Sequence, residues 1–134
     1  MKPEYHLAKQ IAQYLTTLPS KPIFHMDLVG INLGVVRGSL MKAIQGDSGF
    51  PDLFIAEPRG KYHGLFIELK AKNIYKKDGT LLSNEHNHNQ SLFLSKLQAK
   101  GYYACFGLKY DSTKKIIDEY LALKTDFEIK ALNK

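Results

Sequence analysis

Two short apolar runs, Leu53-Phe54-Ile55-Ala56 and Leu65-Phe66-Ile67, constrain the fold of this chain more than any other feature. Both are continuous rather than alternating, which suits strands covered on both faces by helices. Pro58-Arg59-Gly60-Lys61 supplies turn chemistry between them, so the spacing predicts strands over 53–57 and 64–70. Each run carries charge at its polar edge. Asp52 opens the first, after Gly49-Phe50-Pro51, and Glu68-Leu69-Lys70 closes the second. Asp52 and Glu68 lie sixteen positions apart, about the length of two strands joined by a turn. Adjacent strands would bring both carboxylates and the ammonium to one end of a sheet.

The remaining elements fit around that pair. Ala8, Ile11, Ala12, Leu15 and Leu18 recur with helical period over 4–18. Pro3 suits the first turn and Pro19 ends the helix. Glu4 lies one turn before Ala8, near the buried face, either as a first-turn acid favoured by the helix dipole or as a third acid reaching the charged strand ends. Phe24, Met26 and Leu28 alternate with His25 and Asp27, which predicts a strand over 22–29 with the latter two pointing the same way. A short helix is expected over Val35–Ile44. Arg37, Lys42 and the flexible segment 45–49 are candidates to line a phosphate groove. Residues 71–89 read as a polar loop with a turn at Lys76-Lys77-Asp78-Gly79, followed by a helix over 89–100 that Gly101 stops. His86 and His88 are too few for a zinc site without further ligands. A third core strand spans 102–108, with Cys105 as a small buried hydrophobe. Asp111 or Ser112 is expected to cap a last helix, and the tail 124–134 either extends a helix or packs on a partner.

Helix, strand, short helix, strand, strand, helix, strand, helix is the order of an α/β fold: a mixed central sheet flanked by helices. Its 134 residues fit a single domain, 1–134, with one core. No apolar run is long enough to span a membrane, and the start has no signal-peptide core. A lone cysteine forms no internal disulfide, which points to a reducing, cytoplasmic compartment. The net charge of +6 suits a polyanion such as DNA.

The charged strand ends carry specific chemistry. Magnesium or a similar hard cation takes oxygen ligands, usually one or two carboxylates with water and substrate phosphate. Asp52 and Glu68 supply the carboxylates, and the Leu69 carbonyl is a further candidate ligand. Glu68 and Lys70 share a strand face, which puts the ammonium beside a scissile phosphate or an attacking water.

The pattern Gly49-Phe50-Pro51-Asp52-Leu53, then Phe66-Ile67-Glu68-Leu69-Lys70, resembles the virus-type replication-repair nuclease (VRR-NUC) domain of the PD-(D/E)xK superfamily. Gln90 with Phe93 and Leu97 resembles the family's following helix, and Gly101–Leu108 and Ser112–Leu123 its closing strand and helix. The resemblance covers nearly the whole chain. It implies a restriction-endonuclease-like core and a Mg2+- or Mn2+-dependent endodeoxyribonuclease, with Glu4 and Gln90 assisting Asp52, Glu68 and Lys70. It further implies a stand-alone protein of a bacterial or phage-infected cell, acting as a homodimer on branched DNA such as four-way junctions. Lys72, Lys76, Lys77, Arg37 and Lys42 are the candidates for DNA-backbone contacts. Two alternatives remain open at this stage: a sequence-specific or flap-type duplex nuclease, and a non-catalytic DNA-binding module on a nuclease fold.

Overall fold

A computed structural model of the chain describes residues 3–27, 49–82 and 84–125. The apolar stripe of the first segment forms α1, Pro3–Thr17, and buries Leu7, Ala8, Ile11 and Leu15. The strands that follow are β1 (Phe24–Met26), β2 (Leu53–Ile55) and β3 (Leu65–Lys70). Then come α2 (Glu85–Ala99), β4 (Tyr103–Leu108) and α3 (Lys109–Leu121). The sheet order is β1-β2-β3-β4. The first two pairings are antiparallel, and β3 pairs with β4 in parallel, which requires the α2 crossover.

All six residues of β3 are buried, as its unbroken apolar run requires of a strand covered on both faces. On one face Leu53, Ile55, Leu65, Ile67 and Leu69 pack with the buried stripe of α1 and with Ile117 and Tyr120 of α3. On the other, Phe66 and Ala104 meet Leu94 of α2, joined by Phe54, Leu97, Tyr102 and Phe106. Fully burying one such aliphatic side chain contributes roughly 1.5–3 kcal/mol. The expected mixed sheet between helix layers is therefore present.

The strands are shorter than expected, β1 starting at Phe24 rather than 22 and β2 ending at Ile55 rather than 57, and two helix starts also differ. The helix expected over 89–100 begins at Glu85, with Asn84 as its cap: the Asn84 side chain accepts from the Asn87 amide at 2.7 Å. The polar run Asn84–Asn89 lacks an apolar period because only Asn87 of that turn is buried, so periodicity did not reveal it. His86 and His88 are thus exposed positions of the first turns of α2 rather than loop residues. The last helix follows β4 without a connecting loop. Lys109 turns the chain with a φ of 59°, and Leu108 occupies the cap position with no side-chain bond, so neither Asp111 nor Ser112 caps it.

The expectations for Leu28-Val29, for a helix over 35–44 with Arg37 and Lys42, and for the tail 126–134 lie outside the described residues.

Candidate functional site

Strand register builds the site. Leu53 pairs with Ile67 and Phe54 with Phe66, so the next step of the same antiparallel register sets Asp52 across from Glu68. Met26 pairs with Leu53 in the same way, and the Asp27 amide donates to the Asp52 carbonyl at 2.8 Å. Opposed residues share a face and lie about 5 Å apart. Asp27, Asp52 and Glu68 therefore form a row of carboxylates crossing three strands, with Phe106 of β4 next in line as the partner of Glu68. Glu68 and Lys70 share this face, the one that α2 covers in part.

Each member is held. The Asp52 carboxylate accepts from the Leu69 amide at 2.8 Å, so a side chain closes the β2–β3 ladder. The Gln90 amide of α2 donates to Glu68 Oε1 at 2.8 Å, while Gln90 Oε1 is buried without a hydrogen-bond partner. Lys70 is only 8% exposed and its Nζ lies 5.9 Å from the Phe106 ring centroid. Burying an ammonium this deeply is unfavourable unless charges nearby compensate it. Asp52 supplies negative charge on the same face, and its carboxyl feels Lys70 as a lowering influence.

Burial, and then the negative charge of Asp52, pushes the Glu68 carboxyl up to about 9. Asp52 is raised too, chiefly by burial and against the pull of the Leu69 amide. Lys70 opposes both shifts, and Asp27 adds to both. A half-buried Asp52 and a buried Glu68 thus face each other with both carboxyls raised. Asp27 was visible from strand alternation but not assignable to the pair; the register that sets it beside Asp52 is a tertiary property.

Glu4 is not gathered into this set. It sits half-buried in the first turn of α1, which packs on the opposite sheet face, and among the described residues no three Asp, Glu, His or Cys side chains converge as a metal-ligand group. Lys72, Lys76 and Lys77 are exposed on the segment leaving β3. There the expected turn forms, Gly79 donating to the Lys76 carbonyl with a φ of 87°. Cys105 carries a thiol pushed up to about 12 by burial, consistent with a packing role.

Beside the carboxylate row lies a second one. His25 pairs with Phe54, Phe54 with Phe66 and Phe66 with Ala104. A cleft of about 420 Å³ opens over its β1–β2 end, and Asp52 lines that cleft.

No protein-family model matches the sequence, and no curated protein does. Among solved structures the chain is similar to one described as a VRR_NUC domain protein, with a TM-score of 0.68, 20% sequence identity and 98% of each chain covered. At that identity the likeness establishes the fold. The α/β sheet and its helices share the fold of that protein over 98% of each chain.

Proposed function

We propose that the chain is a metal-dependent deoxyribonuclease of the VRR-NUC type, hydrolysing phosphodiester bonds in branched DNA such as four-way junctions. The observation that carries this reading is half-buried Asp52 opposite buried Glu68, with buried Lys70 on the same face, in a chain with the fold of a VRR_NUC domain protein. The residues present fit a hard divalent cation. Two carboxylates offer oxygen ligands only, the unsatisfied Gln90 Oε1 is a neutral oxygen beside Glu68, and the Leu69 carbonyl is a further candidate. Mg2+ or Mn2+ held there would polarise the phosphate and lower the pKa of the attacking water.

The chain's own residues have separable tasks. The Leu69 amide fixes the Asp52 carboxylate, and Gln90 orients Glu68. Lys70 presents a desolvated ammonium to the negative charge that develops on the phosphate, where low dielectric strengthens the interaction. A non-catalytic module would have no use for two carboxyls and an ammonium buried together, an arrangement that is unfavourable unless something binds. The net charge of +6 and exposed Lys72, Lys76 and Lys77 support a DNA partner, with contacts to the backbone rather than to bases. A homodimer would offer two such sites to a two-fold symmetric junction.

The test is a Mg2+-dependent cleavage assay over duplex, flap, splayed-arm and four-way substrates. Wild type is expected to favour the four-way substrate. Asp52→Ala and Lys70→Ala are each expected to lower cleavage by about a hundred- to a thousand-fold or to abolish it, the size seen when a key electrostatic stabiliser is removed. Binding should persist in both variants. Cleavage at the wild-type rate by either would remove these residues from the mechanism.

A further inference from the structure

The aromatic row belongs to the second core cluster at its Phe66 end, but the exposed ring of Phe50 and the cleft beside it have no part in that core. α2 covers the Phe66 and Ala104 part of the row and, among the described residues, the β1–β2 end is open, where the cleft is lined by His25, Asp27, Phe50, Asp52, Phe54 and Tyr102. Phe50 is 49% exposed, yet it is firmly placed. Its ring packs on Phe93 at 5.0 Å and on Phe66 at 5.8 Å between centroids, following a Gly49 that turns the chain at a φ of +97°. Phe54 stacks on Phe66 at 4.4 Å and Tyr102 meets both edge-on, so the floor is a rigid aromatic surface.

We propose that this cleft receives an unpaired nucleobase of the strand being cut, so that the substrate carries an unstacked nucleotide beside the cleaved bond. The inference rests on the nuclease reading above and narrows its substrate. Four features carry it. An exposed aromatic ring offers a stacking face to any base, and such stacking is tolerant of sequence. Asp27 and His25, 3.6 Å apart at the cleft, give a base edge an acceptor and a ring nitrogen to bond with. Asp27, which lines the cleft outside the proposed metal pair, disfavours a phosphate there, so that edge of the cleft suits the neutral base and not the backbone. Finally, the aromatic and carboxylate rows are two residues apart along each strand, roughly 7 Å, which matches the span from a base across its sugar to its own phosphate. The cleft volume falls within the range of about 300–1,000 Å³ common to ligand sites. A base stacked inside a duplex cannot reach such a surface without being extruded.

The experiment follows cleavage of a four-way substrate in which an abasic residue is stepped through the nucleotides flanking the cut, with wild type, Phe50→Ala and Phe50→Trp. At one position, removing the base should lower kcat/KM about ten-fold, as should Phe50→Ala, with no further loss when the two are combined. Phe50→Trp restores an aromatic face and should keep the wild-type rate. Thermal melts check that each variant folds. Losses that multiply, or no position-dependent loss, would overturn the subsite while leaving the nuclease standing. If wild type cuts no DNA, the nuclease reading fails by itself, and the subsite is then decided by binding alone. A single 2-aminopurine in the same oligonucleotide, bound without metal, should change its fluorescence with wild type and not with Phe50→Ala. No change with wild type would overturn the proposal. So would a Phe50→Ala variant that alters oligomeric state without any dependence on the base, because the cleft would then be a contact between copies of the chain.

Discussion

Glu68 concentrates the electrostatic tension of the molecule, since it is 7% exposed, faces Asp52 across the sheet and has Lys70 two positions along its own strand. Its carboxyl, pushed up to about 9, keeps a proton in the folded chain that the unfolded chain loses in the ordinary carboxylate range. Between those limits the folded state binds more protons than the unfolded one, so metal-free stability falls as pH rises through the window. A cation held by the pair, as proposed above, would displace that proton and remove the penalty. The gain in melting temperature on adding Mn2+ should therefore increase from about pH 5 to about pH 8. Equal gains at both would indicate that the cation binds elsewhere. Asp27 raises both carboxyls, so Asp27→Asn should move the midpoint of the pair to lower pH in a carboxyl-resolved NMR titration.

Among the elements, α2 carries the positioning work. Asn84 caps its start, and its end closes in a Schellman turn, with Gly101 donating to Gln98 and Tyr102 to Leu97. Fixed at both ends, the helix holds Gln90 against Glu68 and Phe93 against Phe50. On the opposite face the approach of α3 to the sheet depends on a small residue. A Cβ at Gly107 would fall 2.6 Å from Thr113 Oγ1 and 2.7 Å from Ile67 Cγ2, and Thr113 is fixed by its bond to the Lys109 carbonyl at 2.6 Å. Gly107→Ala should lower stability by about 1–3 kcal/mol in urea unfolding, the usual result of overpacking. An unchanged midpoint would mean that α3 shifts freely. The signal for these elements was uneven in the sequence. Strongly periodic α1 and the apolar runs of β2 and β3 were legible, whereas the polar first turn of α2 and the unlooped β4–α3 junction obey tertiary contacts that local pattern does not encode.

At the scale of the whole molecule, a basic chain surrounds an acidic centre. The net charge of +6 coexists with three carboxyl groups in one row, so any long-range attraction of the proposed DNA substrate would come from residues outside the site, such as the turn after β3. Replacing both Lys76 and Lys77 by Gln should weaken DNA binding evenly across sequences and reduce the slope of log affinity against log salt by about two, one per phosphate contact. An unchanged slope would move the backbone contacts elsewhere on the surface. The sequence by itself determined that two apolar strands end in Asp52 and in Glu68-Leu69-Lys70, because side-chain alternation and turn chemistry are local. It also determined the α/β order that the fold adopts. Only the tertiary structure decided that Asp27 extends the carboxylate row, that Glu4 stays with the other helix layer, and that Gln90 bonds to Glu68. It likewise decided that Phe50 and Phe54 flank the site as an open aromatic cleft. The reason is physical: strand pairing sets which residues stand opposite one another, and register between distant segments is fixed by the packing of both sheet faces, not by any one stretch of chain.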